Sequence, residues 1–420
     1  MLLDLTSPAH RKLREAALKS VEGNKGAPGI DGMRTDELRA HLITHWKTLR
    51  ESLHTGKYRP KPVRRVSIEK PDGGERHLGI PCAQDRWIQQ CLVRLLEPIF
   101  EAQFSPQSYG FRPKRGARQA LKQAQQYMRE GYAWVVDIDL KSFFDRVNHD
   151  ILMACVARHV KDKTVLRQIR SFLESGILLN GVKVRTEMGT PQGGPLSPLL
   201  ANILLTQLDR ELERRGHRFV RYADDCNIYV KSQRAGLRVM ASVTRFIETK
   251  LKLQINQDKS AVDQPWNRKF LGLTVIPKSF RLLPSPQACR RFRTKVRRLT
   301  NIRRSQSLEQ RIAALNEYLR GWHGYYSMSE IDNVFEKLDK WVRRRLRACV
   351  WRTWKLVRTR IKRLIQLGLS PDEAIRTANT RKGPWRMAAS PPLSRALPNR
   401  YWDSLGLFRL SSRTQPVVKG

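Results

Sequence analysis

Apolar side chains at Ile88, Cys91, Leu92, Leu95 and Leu96 share one face of a helix running from Asp85 to Phe100. Ahead of it, residues 1–55 read as helices around a polar loop, NKGAPGIDG (Asn24 to Gly32), whose glycines and proline break regular structure. From Tyr58 to Pro81 the pattern is that of a hairpin: VRRVSI, a turn at PDGG, then ERHLGI. Between Trp134 and Val275, short β-branched and aromatic runs (WVVDIDL, FVRYADD, CNIYV, KFLGLTVI) alternate with longer helical stretches, which predicts an α+β or α/β core. Past Pro284 the strand patterns stop. Leu308, Ile312, Leu315, Leu319 and Trp322, then Ile331, Val334, Leu338, Trp341, Val342, Leu346 and Cys349, predict a helical bundle. Ser307 with Gln310 forms a capping box for its first long helix. Residues 381–420 are Pro- and Arg-rich, weakly patterned, and read as a small appended module.

Length and charge narrow the class. A chain of 420 residues exceeds one hydrophobic core, so two or three domains are expected. Its 80 Lys/Arg against 38 Asp/Glu give a net charge of +42, which would expand a compact fold unless a polyanion neutralises it. Nucleic acid is that polyanion, for an enzyme or for a protein that simply coats RNA or DNA. The helical region is basic in its own right, with 23 Lys/Arg and 8 Asp/Glu between Ser285 and Thr380. Six cysteines without a C-x-x-C pair write neither a zinc ribbon nor a disulfide framework, and fit a reducing cytoplasm. No apolar leader and no spanning run of about 18 residues is present, so a soluble, intracellular protein without a membrane partner is expected.

The candidate chemistry lies in two acidic clusters. In FVRYADDCNIYV, FVRY and CNIYV read as two strands, with Ala223, Asp224 and Asp225 at a tight hairpin tip that carries both carboxylates past the sheet edge. Close carboxylates repel unless a cation lies between them, and an oxygen-only site suits Mg²⁺. In WVVDIDLKSFFDRVNHD, Asp137 and Asp139 alternate along a buried strand and face one side, where unpaired carboxylates are costly. If one of these acids meets the Asp224/Asp225 turn, three carboxylates can hold two Mg²⁺ ions for in-line displacement at phosphorus.

The ordered set "DIDLKSFF" (Asp137 to Phe144), "GTPQGGPLSPLLANILL" (Gly189 to Leu205), "RYADD" (Arg221 to Asp225), "LQINQDKS" (Leu253 to Ser260) and "FLGLTV" (Phe270 to Val275) resembles the successive motifs of group II intron reverse transcriptases. The resemblance implies an α+β right-hand polymerase: an N-terminal extension (1–55), fingers (56–130) and a palm with antiparallel sheet (131–284). An all-α thumb/maturase domain (285–372) and a small C-terminal DNA-binding module (373–420) follow. It places the metal-binding acids at Asp139, Asp224 and Asp225, around two Mg²⁺ ions for which Mn²⁺ can substitute, and makes Asp137 structural. It matches Phe144 to the aromatic residue that crowds the sugar 2′ position of the incoming dNTP. Lys70 and Arg76, a flexible amine and a forked guanidinium, match cations gripping its triphosphate. Gln192 matches a nucleotide-pocket residue, and Lys259 a lysine that protonates the departing pyrophosphate. Asn24, Lys25 and Gly26 belong to a loop expected to lie over the RNA template, which would carry a DNA or RNA primer.

A second signature follows. "LNEYLRGWHGYYSMSE" (Leu315 to Glu330) resembles the maturase segment of the same proteins, which binds intron RNA and assists splicing and retrohoming. Trp322, Tyr325, Tyr326, Trp351 and Trp354 are either base-stacking residues or anchors of the bundle core. Arg343, Arg344 and Arg345, with Lys355 and Arg358 of "KLVRTRIKR", are candidate phosphate contacts. No cysteine spacing or acid–His cluster of an H-N-H endonuclease follows Pro371, and "ANTRKGPWRM" (Ala378 to Met387) looks like the short bacterial class C subgroup. Target DNA, a bacterial, nucleoid-associated cytoplasmic location and a monomeric state are the corresponding expectations. Two alternatives stand beside this reading: an RNA-binding splicing cofactor whose polymerase is secondary, and a domesticated reverse transcriptase of DNA repair or phage defence.

Overall fold

A computed structural model of the chain describes residues 4–69, 75–179, 182–184, 188–190, 193–302 and 305–412. It divides into two compact units, Met1–Arg268 and Lys269–Gly420. The first opens with helices α1 (Arg11–Gly23) and α2 (Leu38–His54) on either side of the NKGAPGIDG loop. Strands β1 (Val63–Glu69) and β2 (Glu75–Ile80) pair antiparallel, from Arg64 opposite Ile80 to Glu69 opposite Glu75, as the alternating pattern requires. Helix α3 (Ala83–Glu101) buries Ile88, Cys91, Leu92, Leu95 and Leu96 and packs on α1. Then follow α4 (Ala117–Arg129), β3 (Trp134–Ile138), the single turn α5 (Phe143–Arg146), α6 (His149–Ala157), α7 (Lys163–Leu173), β4 (Ile177–Leu179) and β5 (Val182–Val184). The unit finishes with α8 (Ser197–Arg214), β6 (Arg218–Tyr222), β7 (Asp225–Val230), α9 (Gln233–Phe246) and β8 (Ala261–Asp263).

Two four-stranded sheets organise this unit. One has the order β2-β1-β4-β5, in which β1/β2 and β4/β5 pair antiparallel and β1 meets β4 in parallel over two residue pairs. The other, β6-β7-β3-β8, is antiparallel throughout. Its inner face is apolar: Val136, Ile138, Phe219 and Ile228 are at most 1% exposed and join one continuous core. Helix α9 lies against β3 and β8, closely enough that a Cβ on Gly236 would sit 2.4 Å from Val262 Cγ1. Only glycine admits that approach.

The second unit opens with a short hairpin of β9 (Leu273–Val275) and β10 (Leu282–Pro284), then becomes helical. Helices α10 (Pro286–Leu299), α11 (Leu308–Tyr326) and α12 (Asp332–Thr353) bury Phe292, Val296, Leu315, Leu319, Leu338, Val342 and Leu346. Both halves of the Ser307/Gln310 capping box form. Helices α13 (Val357–Gln366), α14 (Pro371–Ala378), α15 (Pro384–Met387), α16 (Pro391–Ala396) and α17 (Asn399–Ser404) complete it. Within the described residues the weakly patterned C-terminal stretch folds into the short helices α15, α16 and α17. Each of its helices is too short to show a period, so its order rests on anchors. Trp402 is buried, and Asp339 of α12 accepts from Leu410 N at 3.0 Å and from Ser411 N and Oγ at 2.9 and 2.7 Å.

Candidate active site

Strands β6 and β7 form a hairpin with Tyr222 paired to Asp225, so its turn holds two residues, Ala223 and Asp224. Ala223 takes a positive φ of 57°, which such a tight turn demands at its first position. Asp225 thus starts β7 rather than sharing the tip, a refinement of the sequence expectation. Across the sheet, Ile138 of β3 lies opposite Cys226 and Asp137 opposite Asn227. Asp139 directly follows Ile138 and Asp225 directly precedes Cys226, so both flank the last pair of this ladder. Along the backbone, Asp139, Asp225 and the adjoining Asp224 therefore all lie at the same end of this sheet.

A fully buried ion pair holds the turn. Arg221 and Asp209 both have side chains at 0% exposure. Arg221 donates Nε and Nη2 to the two Asp209 oxygens at 2.7 and 2.6 Å, and Nη1 to Asn202 Oδ1 at 3.0 Å and to the Ala223 carbonyl at 2.9 Å. Burial alone would lower the Arg221 pKa, but Asp209, with Asp224 also contributing, raises it above its ordinary value. The strand is further braced by residues 107–110: Arg221 N donates to Gln107 O, Tyr109 N to Arg221 O, and Asn202 Nδ2 to Gly110 O, each at 2.9 Å. A Cβ at Gly110 would lie 2.3 Å from Ala223 N, so backbone presses directly on the turn. Sequence reasoning missed this brace. Its trace was Asn202 and Asp209, two polar residues seven apart among the buried residues of the largely apolar α8.

Asp139 is fixed through its backbone by the LQINQDKS loop. Its N–H donates to Ser260 Oγ at 3.0 Å, and its carbonyl accepts from Asn256 N at 2.8 Å and Ser260 Oγ at 3.3 Å. Lys259 is exposed on this loop, its N–H bonded to Asn256 O. Asp137 is answered differently: Arg268 Nη2 reaches its carboxylate at 2.7 Å and also donates to the Lys259 carbonyl. The i, i+2 pair therefore needs no metal at Asp137, and its cation comes from far along the chain.

Three carboxylates at one sheet end form an all-oxygen donor set of the kind a hard divalent cation takes. Among the described residues no three His, Cys, Asp or Glu side chains converge closely enough to hold an ion as they stand. The donor chemistry of three carboxylates suits Mg²⁺.

Phe144 sits on α5, half-buried, edge-on to the fully buried Phe143 with ring centroids 5.2 Å apart. The segment leading to the PQGG motif docks beside it: Thr190 N donates to Phe144 O at 2.6 Å and Gly189 N to Val147 O at 2.8 Å. Lys70 and Gln192 lie outside the described residues, as does the side chain of Arg76. Asn24 and Lys25 are exposed and Gly26 is half-buried, in a loop fastened by Arg86 Nη2 to Ala27 O at 2.9 Å.

In the second unit the aromatic residues divide sharply. Trp322, Tyr326, Trp351 and Trp354 are at most 9% exposed and pack in the core, Trp322 stacking on Tyr326 at 4.5 Å. Tyr325 is exposed but donates its hydroxyl to Leu271 O. Lys355 and Arg358 are exposed, whereas Arg343, Arg344 and Arg345 are half-buried and do not form a solvated cationic face. Arg345 donates to Thr300 Oγ1 at 3.0 Å and Thr300 O at 3.1 Å, and Arg344 lies 4.0 Å from the Trp385 ring centroid. Arg344 and Arg345 thus have partners within the bundle, which narrows the room left to them as candidate phosphate contacts.

The reverse transcriptase (RNA-dependent DNA polymerase) family matches residues 68–275, and the maturase-specific domain of group II introns matches residues 289–368. Protein YkfC of Escherichia coli is 33% identical over 310 residues, covering 64% of this chain and 81% of that protein. The group II intron-encoded protein LtrA of Lactococcus lactis is 31% identical over 327 residues, 62% of this chain and 54% of LtrA, so the chain spans about half of that relative. A 91 kDa protein in the cob intron of Schizosaccharomyces pombe is 35% identical over 202 residues, 48% of this chain and 25% of its own length. With polymerase motifs on the antiparallel sheet and a maturase-specific region in the helical unit, the chain belongs to the reverse transcriptase/maturase family of group II intron-encoded proteins.

Proposed function

We propose that this chain copies RNA into DNA at Asp139, Asp224 and Asp225, and that its helical unit binds intron RNA to assist splicing and retrohoming. The observation that supports the polymerase reading is the β3/β7 ladder, whose last pair, Ile138 opposite Cys226, is followed by Asp139 on one strand and preceded by Asp225 and the Asp224 turn on the other. In this reading the three carboxylates hold two Mg²⁺ ions, which when bound supply charge neutralisation for an attacking 3′-oxygen and a departing pyrophosphate. The chain itself contributes positioning. Arg221 fixes the turn, Ser260 and Asn256 fix the backbone of Asp139, and Arg268 ties down the Lys259 loop. Phe144 limits room at the sugar 2′ position, and Lys259, exposed on its loop, presents an ammonium able to give a proton to a leaving oxygen. RNA template, primer, dNTPs and target DNA are the partners this reading requires, and the charge of +42 supports them.

The test is primer extension on an RNA template with dNTPs and Mg²⁺. Wild type is expected to extend, and Asp224→Ala to lose extension while keeping RNA affinity. Extension by Asp224→Ala at the wild-type rate would sink the proposal.

A further inference from the structure

All ten tryptophans lie among the described residues, and Trp385 alone is classed as exposed, at 41%. It sits on the one-turn helix α15, which packs against α12 and ends in the buried Met387, followed by the buried Ala388. The ring is held in place. The Arg344 guanidinium lies 4.0 Å from its centroid, Arg345 lies 5.6 Å away, and Arg344 Nη2 donates to the Trp385 carbonyl at 3.3 Å. Arg344 and Arg345 belong to α12, so the exposed ring is braced by a long helix rather than carried on a free loop. Immediately beside it along the chain, Arg381, Lys382 and Arg386 are all exposed cations. A large aromatic surface left in water is unfavourable, and a cation over one face leaves the remaining exposed surface for a second flat, neutral group.

We propose that Trp385 is a stacking platform for an unpaired nucleobase, backed by Arg344, with Arg381, Lys382 and Arg386 taking the flanking phosphates. Aromatic stacking accepts any base because every base has a π-face, and an ordered platform loses little rotamer freedom on binding. The candidate thumb aromatics Trp322, Trp351 and Trp354 cannot serve, since the core occupies them. The proposal rests on the nucleic-acid-binding reading of the helical unit and adds the point at which a single-stranded base is held.

The test measures binding of the full chain, by fluorescence anisotropy, to a labelled duplex with a short single-stranded overhang and to the same duplex with abasic overhang residues, in RNA and DNA versions. Wild type is expected to bind the intact overhang about five- to 150-fold more tightly than the abasic one. Trp385→Leu, which keeps an apolar contact for Arg344, should bring that ratio close to one, and Trp385→Tyr should retain most of it. A preference in the RNA arm, the DNA arm or both supports the platform and names the strand. A wild type that binds intact and abasic overhangs equally overturns the proposal without any variant, as does a folded Trp385→Leu that keeps the full ratio. A wild type that binds neither duplex removes the nucleic-acid reading itself, and the platform with it.

Discussion

Replacing Arg221 by lysine should separate the stability of the polymerase unit from its activity. The guanidinium makes four hydrogen bonds, two to Asp209, one to Asn202 Oδ1 and one to the Ala223 carbonyl, in a site at 0% exposure. Lysine keeps the charge that Asp209 needs, so the penalty of about 3–5 kcal/mol for a buried carboxylate left alone is avoided. Its three donors radiate from one nitrogen and cannot match the planar fork. An acceptor left without a donor costs about 1–3 kcal/mol, and at about 2–4 °C per kcal/mol the Tm should fall by about 2–12 °C. The Ala223 carbonyl, at the turn between the strands, is the acceptor whose loss matters for chemistry. A shift of order 1 Å in a catalytic group costs about 100-fold in rate, so single-turnover primer extension at 25 °C should drop by about that factor while circular dichroism still reports a folded protein. Arg221→Lys with a lowered Tm and a wild-type extension rate would refute the argument that this pair positions Asp224 and Asp225.

Other substitutions probe neighbouring parts of the account. Phe144→Ala, removing the half-buried ring on α5, should raise incorporation of ribonucleotides relative to deoxynucleotides by about ten- to 200-fold, read from competing single-nucleotide extensions. Gly110→Ala places a methyl 2.3 Å from Ala223 N, so a loss of about 1–3 kcal/mol is expected in urea melts, together with slowed extension. Asp85 is pushed up to about 6 by burial, against the opposing hydrogen bonds it accepts from Tyr58 and Lys61 N. Folded protein therefore holds this proton more tightly than unfolded chain. Stability should fall as pH rises from about 4 to 6 and stay lower above that, a slope that Asp85→Asn should flatten in urea melts across that range.

Much of the architecture was legible because it is local. The hairpin at 63–80, helix α3 and the capping box at Ser307 all follow from short-range periodicity or turn chemistry. The two acidic clusters were legible as well, because carboxylates inside apolar runs need an explanation. Their supports were not. Arg221 reads as an ordinary cation beside two acids until α8 brings Asp209 and Asn202 to it, and Arg268 reads as solvated until the fold sets it on Asp137. Residues 343–345 form a run of arginines whose apolar neighbours Val342 and Leu346 are buried, and periodicity alone does not say that the bundle will engage Arg344 and Arg345 internally. Trp385 was hidden for a related reason: a helix of one turn has no period from which exposure can be read.

The central claim is that Asp139, Asp224 and Asp225 together hold divalent cations in the polymerising complex. Electron paramagnetic resonance can count Mn²⁺ bound to the full chain with an RNA template, a chain-terminated DNA primer and the matching dNTP. Two tightly bound ions are expected in wild type, with loss of at least one in both Asp139→Ala and Asp225→Ala. Full occupancy in either variant would contradict the account.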